Sequence, residues 1–347
     1  MSEFAQRIIT WQKLHGRHGL PWQNTRDPYA IWVSEIMLQQ TQVTAVIGYY
    51  QRFMTRFPTI ASLAQATQEE VLQYWSGLGY YSRARNLHHA AQTIVAQHGS
   101  VFPQDFETIQ SLAGIGRSTA AAIASFAFQQ VQTILDGNVK RVLARYFAIE
   151  GWPSSPKIEK QMWQLAETLL PKDDMVAYTQ GLMDLGATLC TRSKPQCVSC
   201  PLHATCSAYA QGLVKLLPTP KPKKISPQKY TTMLIFKNGR DILLEKRPSK
   251  GIWGGLWSLP EIAMSEIASE VALTRFGIEV EAEEPLDVLQ HAFTHYKLAI
   301  TPQPLQVIGK LPAHSAGQHI WLPIEEAIDA AIPTPTRTIL SGLLVNG

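Results

Sequence analysis

Four cysteines, Cys190, Cys197, Cys200 and Cys206, fall within 17 residues in the order C-x6-C-x2-C-x5-C. Thiolates this close can converge on one metal centre, and zinc and a [4Fe–4S] cluster both accept four of them. Disulfide frameworks spread their cysteines and belong to oxidising compartments. The spacing points to a metal and leaves zinc and iron open.

Two carboxyls have a second kind of chemistry. Glu35 is the one acid in AIWVSEIMLQQTQV, otherwise apolar and amide-rich. Ionised Glu is rarely buried without a partner, so such surroundings raise its pKa and keep it protonated near neutral pH. Asp136 follows the apolar run of ILDGNVKRVLAR. Alone, it reads as the cap of the helix NVKRVLARYF. A protonated Glu and an ionised Asp facing one cleft are the parts for cleaving a glycosidic bond. The acid protonates the leaving group, and the carboxylate stabilises the oxocarbenium ion. Cap and catalytic pair both stand as readings.

A third feature is Gly114-Ile115-Gly116, between a helical stretch and an alanine-rich one. Such a turn exposes backbone N–H groups at a helix N-terminus, where the dipole also favours an anion such as phosphate. A plain packing turn is the alternative. The pattern L-x-G-x-G before an Ala-rich helix resembles the helix-hairpin-helix of DNA-binding proteins.

These residues need elements to hold them. From about Pro28 to Ala210 apolar residues recur at helical spacing, with helix starts at Asp27-Pro28, at Thr67-x-x-Glu70 and before SPKIEKQMWQLAETLL. DPYAIWVSEIMLQQTQVTAVIGYYQRF and TQEEVLQYWSGLGYYSRARNLHHAAQTIVAQHG both have apolar residues at three- and four-residue spacing. Residues 217–229 hold four prolines and four lysines and should be extended. After them, YTTMLIF and DILLEKR read as strands joined at Asn238-Gly239, with further strands near 285–290, 296–301 and 319–322 and a helix near 264–276.

The chain has 347 residues, enough for two or three domains, with an ordinary globular composition of 45% hydrophobic and 17% charged residues. Its net charge of +4 is unevenly spread: residues 1–212 carry 17 basic and 14 acidic side chains, 213–229 five lysines and no acid, and 230–347 nine basic and 13 acidic. A basic part is compatible with nucleic acid, and equally with an ordinary surface. No apolar run reaches membrane-spanning length and no secretory pattern opens the sequence, so a cytoplasmic, nucleoid-associated protein without membrane contact is expected.

VSEIMLQQTQV, GLGYYSRARNL, LAGIGRSTAAAI, ILDGNVKRVLAR and the cysteine loop occur together and in order. Over nearly all of residues 1–212 the chain resembles the adenine DNA glycosylases of the MutY type, in the helix-hairpin-helix superfamily that also holds endonuclease III. The resemblance implies an all-α glycosylase region, 1–214, made of a six-helix module (about 22–134) and an iron–sulfur module (1–21 plus 135–214). The N-terminal helix would return to pack with the cysteine-bearing helices. A Lys/Pro-rich linker at 215–229 and an α+β, Nudix-like domain at 230–347 would follow. The metal would be a [4Fe–4S] cluster. The activity would be base excision: adenine opposite 8-oxoguanine or guanine in double-stranded DNA is flipped out and hydrolysed away, by a monomer by default.

Carried over by residue, the resemblance makes Glu35 the general acid, Asp136 the stabiliser of the positive sugar and Asn138 an orienting residue. Gln40, Leu78 and Tyr80 would enter the emptied stack, where an aromatic ring suits lost base stacking. Leu20, Trp22 and Gln180 would line the adenine pocket. Gly114, Gly116, Arg117, Lys140, Arg192 and Lys194 would meet the DNA backbone, with Lys140 and the loop holding Arg192 and Lys194 equally readable as plain surface. Ser118 stands where the endonuclease III branch has a strand-cutting lysine, so the enzyme should leave an abasic site uncut. Ala113, often proline in the family, should be harmless.

GGLWSLPE resembles the start of a Nudix box, but Ser269, Leu273 and Thr274 replace its later arginine and glutamates, leaving Glu270. Magnesium wants several carboxylates, so nucleotide hydrolysis is not expected. The family reads 8-oxoguanine through F-S-H, matched here in QHAFTHYK by His291, Phe293, Thr294 and His295, with Thr294 for the serine. The competing functions are a bifunctional glycosylase/lyase, disfavoured by Ser118, and a non-catalytic iron–sulfur damage sensor, disfavoured by the presence of both Glu35 and Asp136.

Overall fold

Helix starts in this chain are written in its caps. Ser2 accepts the Ala5 amide at 3.2 Å and opens the helix Glu3–His15. Asp27 accepts the Tyr29 amide at 3.0 Å, and Pro28 takes the first turn of Pro28–Leu38, where its missing N–H costs nothing. Thr67 accepts the Glu70 amide at 3.2 Å ahead of Gln68–Trp75. The computed structural model describes residues 2–222, 226–293, 295–309, 311 and 318–346.

Two stretches of helical apolar spacing each divide into two helices. The first stops at Leu38 and resumes at Val43, with Gln40 at φ 57° between them. The second stops at Trp75 and resumes at Ser82, across Gly77 (φ 97°), Gly79 (φ 76°) and Tyr80 (φ 49°). Apolar periodicity continues through both breaks, so the pattern hides them. Gln40 and Tyr80 hold left-handed backbone without being glycine, a strain that surrounding structure must maintain.

The chain forms two compact units, Met1–Gln65 with Asn86–Lys223, and Ala66–Arg85 with Lys224–Gly347. The first is helical. Its helix Glu3–His15 lies along Met175–Asp184, as the resemblance implies. The approach is close because position 181 is glycine: a Cβ there would sit 2.7 Å from Ile8 Cγ2. Phe4, Ile8, Leu135, Val139, Leu143, Tyr178 and Leu182 share one core. This core joins the N-terminal helix, the Asp136 segment and the helix that leads to the cysteines.

The second unit is built on a mixed sheet of β1 (Gln228–Asn238), β2 (Asp241–Lys246), β3 (Trp257–Ser258), β4 (Glu261–Ile262), β5 (Val280–Ala282), β6 (Leu289–Ala292), β7 (Lys297–Val307) and β8 (His319–Pro323). β1 and β2 form the expected hairpin, with Asn238 opposite Asp241, and β1 and β7 run parallel from Gln228–Lys297 to Lys237–Gln306. Leu234, Phe236, Leu243, Ile262, Ala272 and Leu305 form its core, closed by the helix Ala268–Phe276.

β7 outruns its expected end near Thr301 because Pro302 and Pro304 are tolerated. Their carbonyls accept from Leu286 (2.9 Å) and Glu283 (3.1 Å), so their missing donors face that flank and not β1. Residues 66–85 join this unit through Ser76 to the Ile332 carbonyl (3.0 Å), Gln73 to the Asp329 carbonyl (3.3 Å) and Lys246 to Glu69 (2.9 Å).

Candidate active site

Glu35 sits one turn from the end of Pro28–Leu38 and lines a cavity of about 660 Å³ in the first unit. Trp22, Ser34, Phe126 and Gln180 share the walls. Glu35 is exposed only in part, and its carboxyl accepts no hydrogen bond among the described residues. Burial without a compensating donor raises its pKa to about 8, with a further push from the Asp136 charge. At neutral pH it holds a proton.

Asp136 is treated differently by its surroundings. It caps Gly137–Tyr146, accepting the Val139 amide at 2.8 Å and Asn138 Nδ2 at 3.4 Å. Burial leaves its pKa raised, with the Val139 and Asn138 amides and the Arg141 charge working against that rise. Cap and carboxylate partner are therefore one arrangement: the capping amides hold the charge that acts on Glu35. The two carboxyls interact and are treated unlike, since Glu35 has no donor while the donors around Asp136 favour its charged form against its burial.

Asn138 is fixed on both ends, since its Oδ1 accepts from Arg141 NH2 at 2.7 Å. Gly186 makes room for it: a Cβ there would meet Asn138 Cβ at 2.6 Å. Ser118 Oγ accepts the Leu135 amide at 3.0 Å, one residue before Asp136. Position 118 thus offers a hydroxyl that sets the backbone, and no amine.

The structure brings Trp22 and Gln180 to the cavity wall with Glu35 and leaves Leu20 off it. Trp22 is buried, its ring edge-on to Tyr50 at 5.2 Å. Gln180 Nε2 donates to Asp184 Oδ1 at 2.8 Å.

In the hairpin, Gly114 (φ 80°) is pressed on Asn86, where a Cβ would meet Asn86 Cβ at 2.8 Å. Gly116 heads Arg117–Phe128 with no side-chain cap, so the first-turn amides face outward for an anion. Ala113 lies within the turn, which closes through Ile115 N to the Leu112 carbonyl at 3.1 Å. Arg117 is engaged by Glu167 (2.6 Å) and stacks on Trp163 (4.0 Å), and Lys140 by Glu159 (2.7 Å) and Ser154 (3.3 Å). Arg192 and Lys194 are exposed.

Cys190, Cys197, Cys200 and Cys206 line one small cavity of about 30 Å³ together with Arg145. A π-helical turn, Leu185–Leu189, delivers Cys190, and tight turns at Cys197–Ser199 and His203–Thr205 aim the others inward. Burial, with repulsion from the neighbouring thiolates, holds the Cys200 thiol up at about 11. A bound cation centre is what would keep four thiolates deprotonated there. Among the described residues no three His, Cys, Asp or Glu side chains close tightly on a single metal ion.

Arg145 is 3% exposed and spends its donors on this loop: Nε to the Leu217 carbonyl (2.8 Å), NH1 to the Thr191 carbonyl (2.7 Å) and Cys190 Sγ (3.4 Å), NH2 to the Arg192 carbonyl (3.2 Å). Arg141 reaches the Cys190 carbonyl at 2.7 Å. Sequence reasoning gave neither arginine a role, although both stand in the Asp136 motif at positions that turn toward the loop.

In the second unit a cavity of about 440 Å³ gathers Tyr80, Arg85, Trp253, His291, Phe293 and His295. Tyr80 is 48% exposed, whereas Leu78 is buried. Trp253, at φ 55°, packs on Phe293 (5.3 Å) and His291 (5.7 Å), and Arg85 donates to the next carbonyl, Gly254, at 2.7 Å. Trp253 was missed in the sequence because its glycine-rich loop reads as Nudix scaffold. Thr294 lies outside the described residues. Where a Nudix box would carry carboxylates, Arg275 donates to Glu245 (2.5 Å) and Leu273 is exposed. Among the described residues no helix is long and apolar enough to cross a membrane.

Residues 33–168 match the family model described as "HhH-GPD superfamily base excision DNA repair protein", and residues 231–342 match "NUDIX domain". The chain is 37% identical over 348 residues to adenine DNA glycosylase of Buchnera aphidicola subsp. Acyrthosiphon pisum, covering 99% of this chain and 98% of that one. It is 35% identical to adenine DNA glycosylase of Rattus norvegicus, covering 98% of this chain and 77% of the relative. A solved thermostable thymine-DNA glycosylase superposes with TM-score 0.55 at 31% identity, covering 60% of this chain and 95% of its own. With such identity along nearly its whole length, on a helical glycosylase unit followed by a Nudix-like one, the chain belongs to the adenine DNA glycosylase family.

Proposed function

We propose that this protein is a monofunctional adenine glycosylase of base excision repair, acting on adenine opposite 8-oxoguanine or guanine in duplex DNA. The observation that carries the reading is the unlike pair of carboxyls: Glu35, in the cavity wall without a donor and pushed up to about 8, and Asp136, ringed by Val139 and Asn138 donors that work against its burial. Glu35 gives its proton to a ring nitrogen of the flipped adenine, which leaves as the neutral base. Asp136 stabilises the sugar cation until water adds. Asn138 holds the carboxylate in place. With a serine at 118 and Lys140 tied to Glu159, neither position presents a free amine to the sugar, so the product is an intact strand with an abasic site.

Residues 1–214 serve as the catalytic region, 215–229 as a basic strap and 230–347 as the recognition domain, consistent with family matches at 33–168 and 231–342. Cys190, Cys197, Cys200 and Cys206 would hold a [4Fe–4S] cluster, which when bound ties the loop of Arg192 and Lys194 into one shape beside the DNA backbone. The amides of the Gly114–Gly116 turn take a phosphate. Gln40 and Tyr80, both on strained backbone, enter the vacated stack with Leu78. His291, Phe293, Thr294 and His295 read the 8-oxoguanine face, and nucleotide hydrolysis is absent from this domain.

The test is single-turnover cleavage of end-labelled duplexes carrying A opposite 8-oxoguanine, G, C or T, with and without alkali. Alkali-dependent breaks confined to 8-oxoguanine and G support the reading. Breaks without alkali mean lyase chemistry. Intact DNA with tight binding means a damage sensor.

A further inference from the structure

A glutamine amide is ambiguous: one end donates, the other accepts, and rotation about its last bond exchanges them. In this cavity the ambiguity is removed. Asp184 is 0% exposed and lies behind the wall, next to Arg17. Its Oδ2 accepts the Arg17 amide at 2.9 Å, and its Oδ1 accepts Arg17 Nε at 2.7 Å, with NH2 at 2.6 Å. Oδ1 also accepts Gln180 Nε2 at 2.8 Å. Both oxygens of this carboxylate already accept from Arg17, so it is the nitrogen of Gln180 that turns toward it. Gln180 Oε1 is left without a protein donor among the described residues, on a side chain that lines the cavity with Glu35.

We infer that the Arg17–Asp184 pair is a polarity lock that makes Gln180 a fixed hydrogen-bond acceptor and so selects a base carrying an exocyclic amine. This rests on the cavity being the adenine pocket. Adenine presents an amino group that donates to Oε1. Hypoxanthine and guanine present a carbonyl oxygen in its place, and two acceptors face each other. Without the lock the amide turns over and satisfies either. Asp184 touches no substrate and is a positioning residue, and Arg17, which also lines the cavity, acts on Gln180 through it.

The experiment measures single-turnover release of adenine, purine and hypoxanthine from otherwise identical duplexes opposite 8-oxoguanine. Wild type should favour adenine over hypoxanthine by about a hundredfold or more, since a buried acceptor facing an acceptor is rejected strongly. Asp184→Asn should cut that ratio by about tenfold, in the range of one lost buried hydrogen bond. It should change the ratio no further in a Gln180→Met background, and Arg17→Lys should keep most of it. An unchanged ratio in Asp184→Asn with slower release of every base would overturn the lock, as would an equal effect in the Gln180→Met background. If wild type releases no adenine, the functional reading and the lock fall together. Should Asp184→Asn fail to fold, wild-type NMR decides. The Gln180 side-chain amide, assigned by its loss in Gln180→Met, should exchange slowly with solvent, and fast exchange would overturn the inference.

Discussion

Arg141 NH2 lies 2.7 Å from Asn138 Oδ1, and Nε of the same guanidinium lies 2.7 Å from the Cys190 carbonyl. Asn138 in turn meets Asp136. One side chain therefore ties the carboxylate whose charge acts on Glu35 to the first cysteine of the loop. Arg141→Gln removes the fork while leaving an amide of fair length. Base release should slow at least about tenfold and the loop should become easier to strip with chelator or oxidant, because a buried bond to a charged group is worth roughly 1.5–3 kcal/mol. Absorbance of the proposed cluster against time, followed beside single-turnover rates, checks both. Normal catalysis with a weakened loop would show that the tie serves the loop alone.

Ser118→Ala takes the acceptor from the Leu135 amide, one residue before Asp136. Leaving that amide unpaired should lower stability by about 1–3 kcal/mol. Urea unfolding reads the loss. Release of the base should slow as Asp136 loosens, and strands should still need alkali to break. A variant as stable as wild type would mean that water replaces the hydroxyl.

The pH profile follows from Glu35. Its folded pKa is raised from 4.5 to about 8. As a general acid it works while protonated, so single-turnover release should hold up to about pH 8 and fall tenfold per pH unit above it. The same shift bears on stability. In the unfolded chain Glu35 ionises near 4.5, in the fold only near 8, so its contribution falls as pH rises from 4.5 to 8 and is flat above. By pH 8 the loss approaches 1.36 kcal/mol for each pKa unit, on the order of 3–5 kcal/mol for a partly exposed group. Glu35→Gln should therefore unfold at a higher temperature than wild type at pH 8 and at nearly the same temperature at pH 4.5. Equal melting at pH 8 would mean an unshifted carboxyl.

Arg145→Met should be among the most damaging changes outside the cavity. Its guanidinium is buried against Cys190 Sγ and holds the Thr191, Arg192 and Leu217 carbonyls. Losing a buried, fully paired charge while leaving its carbonyl partners unmet costs about 3–5 kcal/mol. Iron content per chain and thermal unfolding should both fall, while Arg192→Ala, exposed at its side chain, should leave them unchanged and weaken DNA binding with a shallower salt dependence.

What could be read from the residues was what lies close in sequence. The four cysteines and Glu35 in its apolar helix declare themselves by type and spacing, Asp136 alone reads as a cap, and the helix caps at Asp27 and Thr67 are local by nature. The partners that tune them are distant. Arg17 and Asp184 lie 167 residues apart, and neither stands out alone. Arg145 looks like any helix-surface arginine until Leu217 and the loop close over it. Apolar spacing runs through the breaks at Gln40 and at Gly77–Tyr80, so it does not mark where one helix ends and the next begins. β7 escaped because proline counts against a strand unless the flank its missing donor faces is known.

The central claim is that Glu35 delivers the proton that releases adenine. Its most direct test is single-turnover base release from an A:8-oxoguanine duplex by wild type and Glu35→Gln, with duplex affinity measured on the same preparations. The account expects release to fall by about 10²–10⁴-fold in the variant, the usual worth of a general acid, with affinity within a few-fold of wild type. Release at the wild-type rate would contradict it.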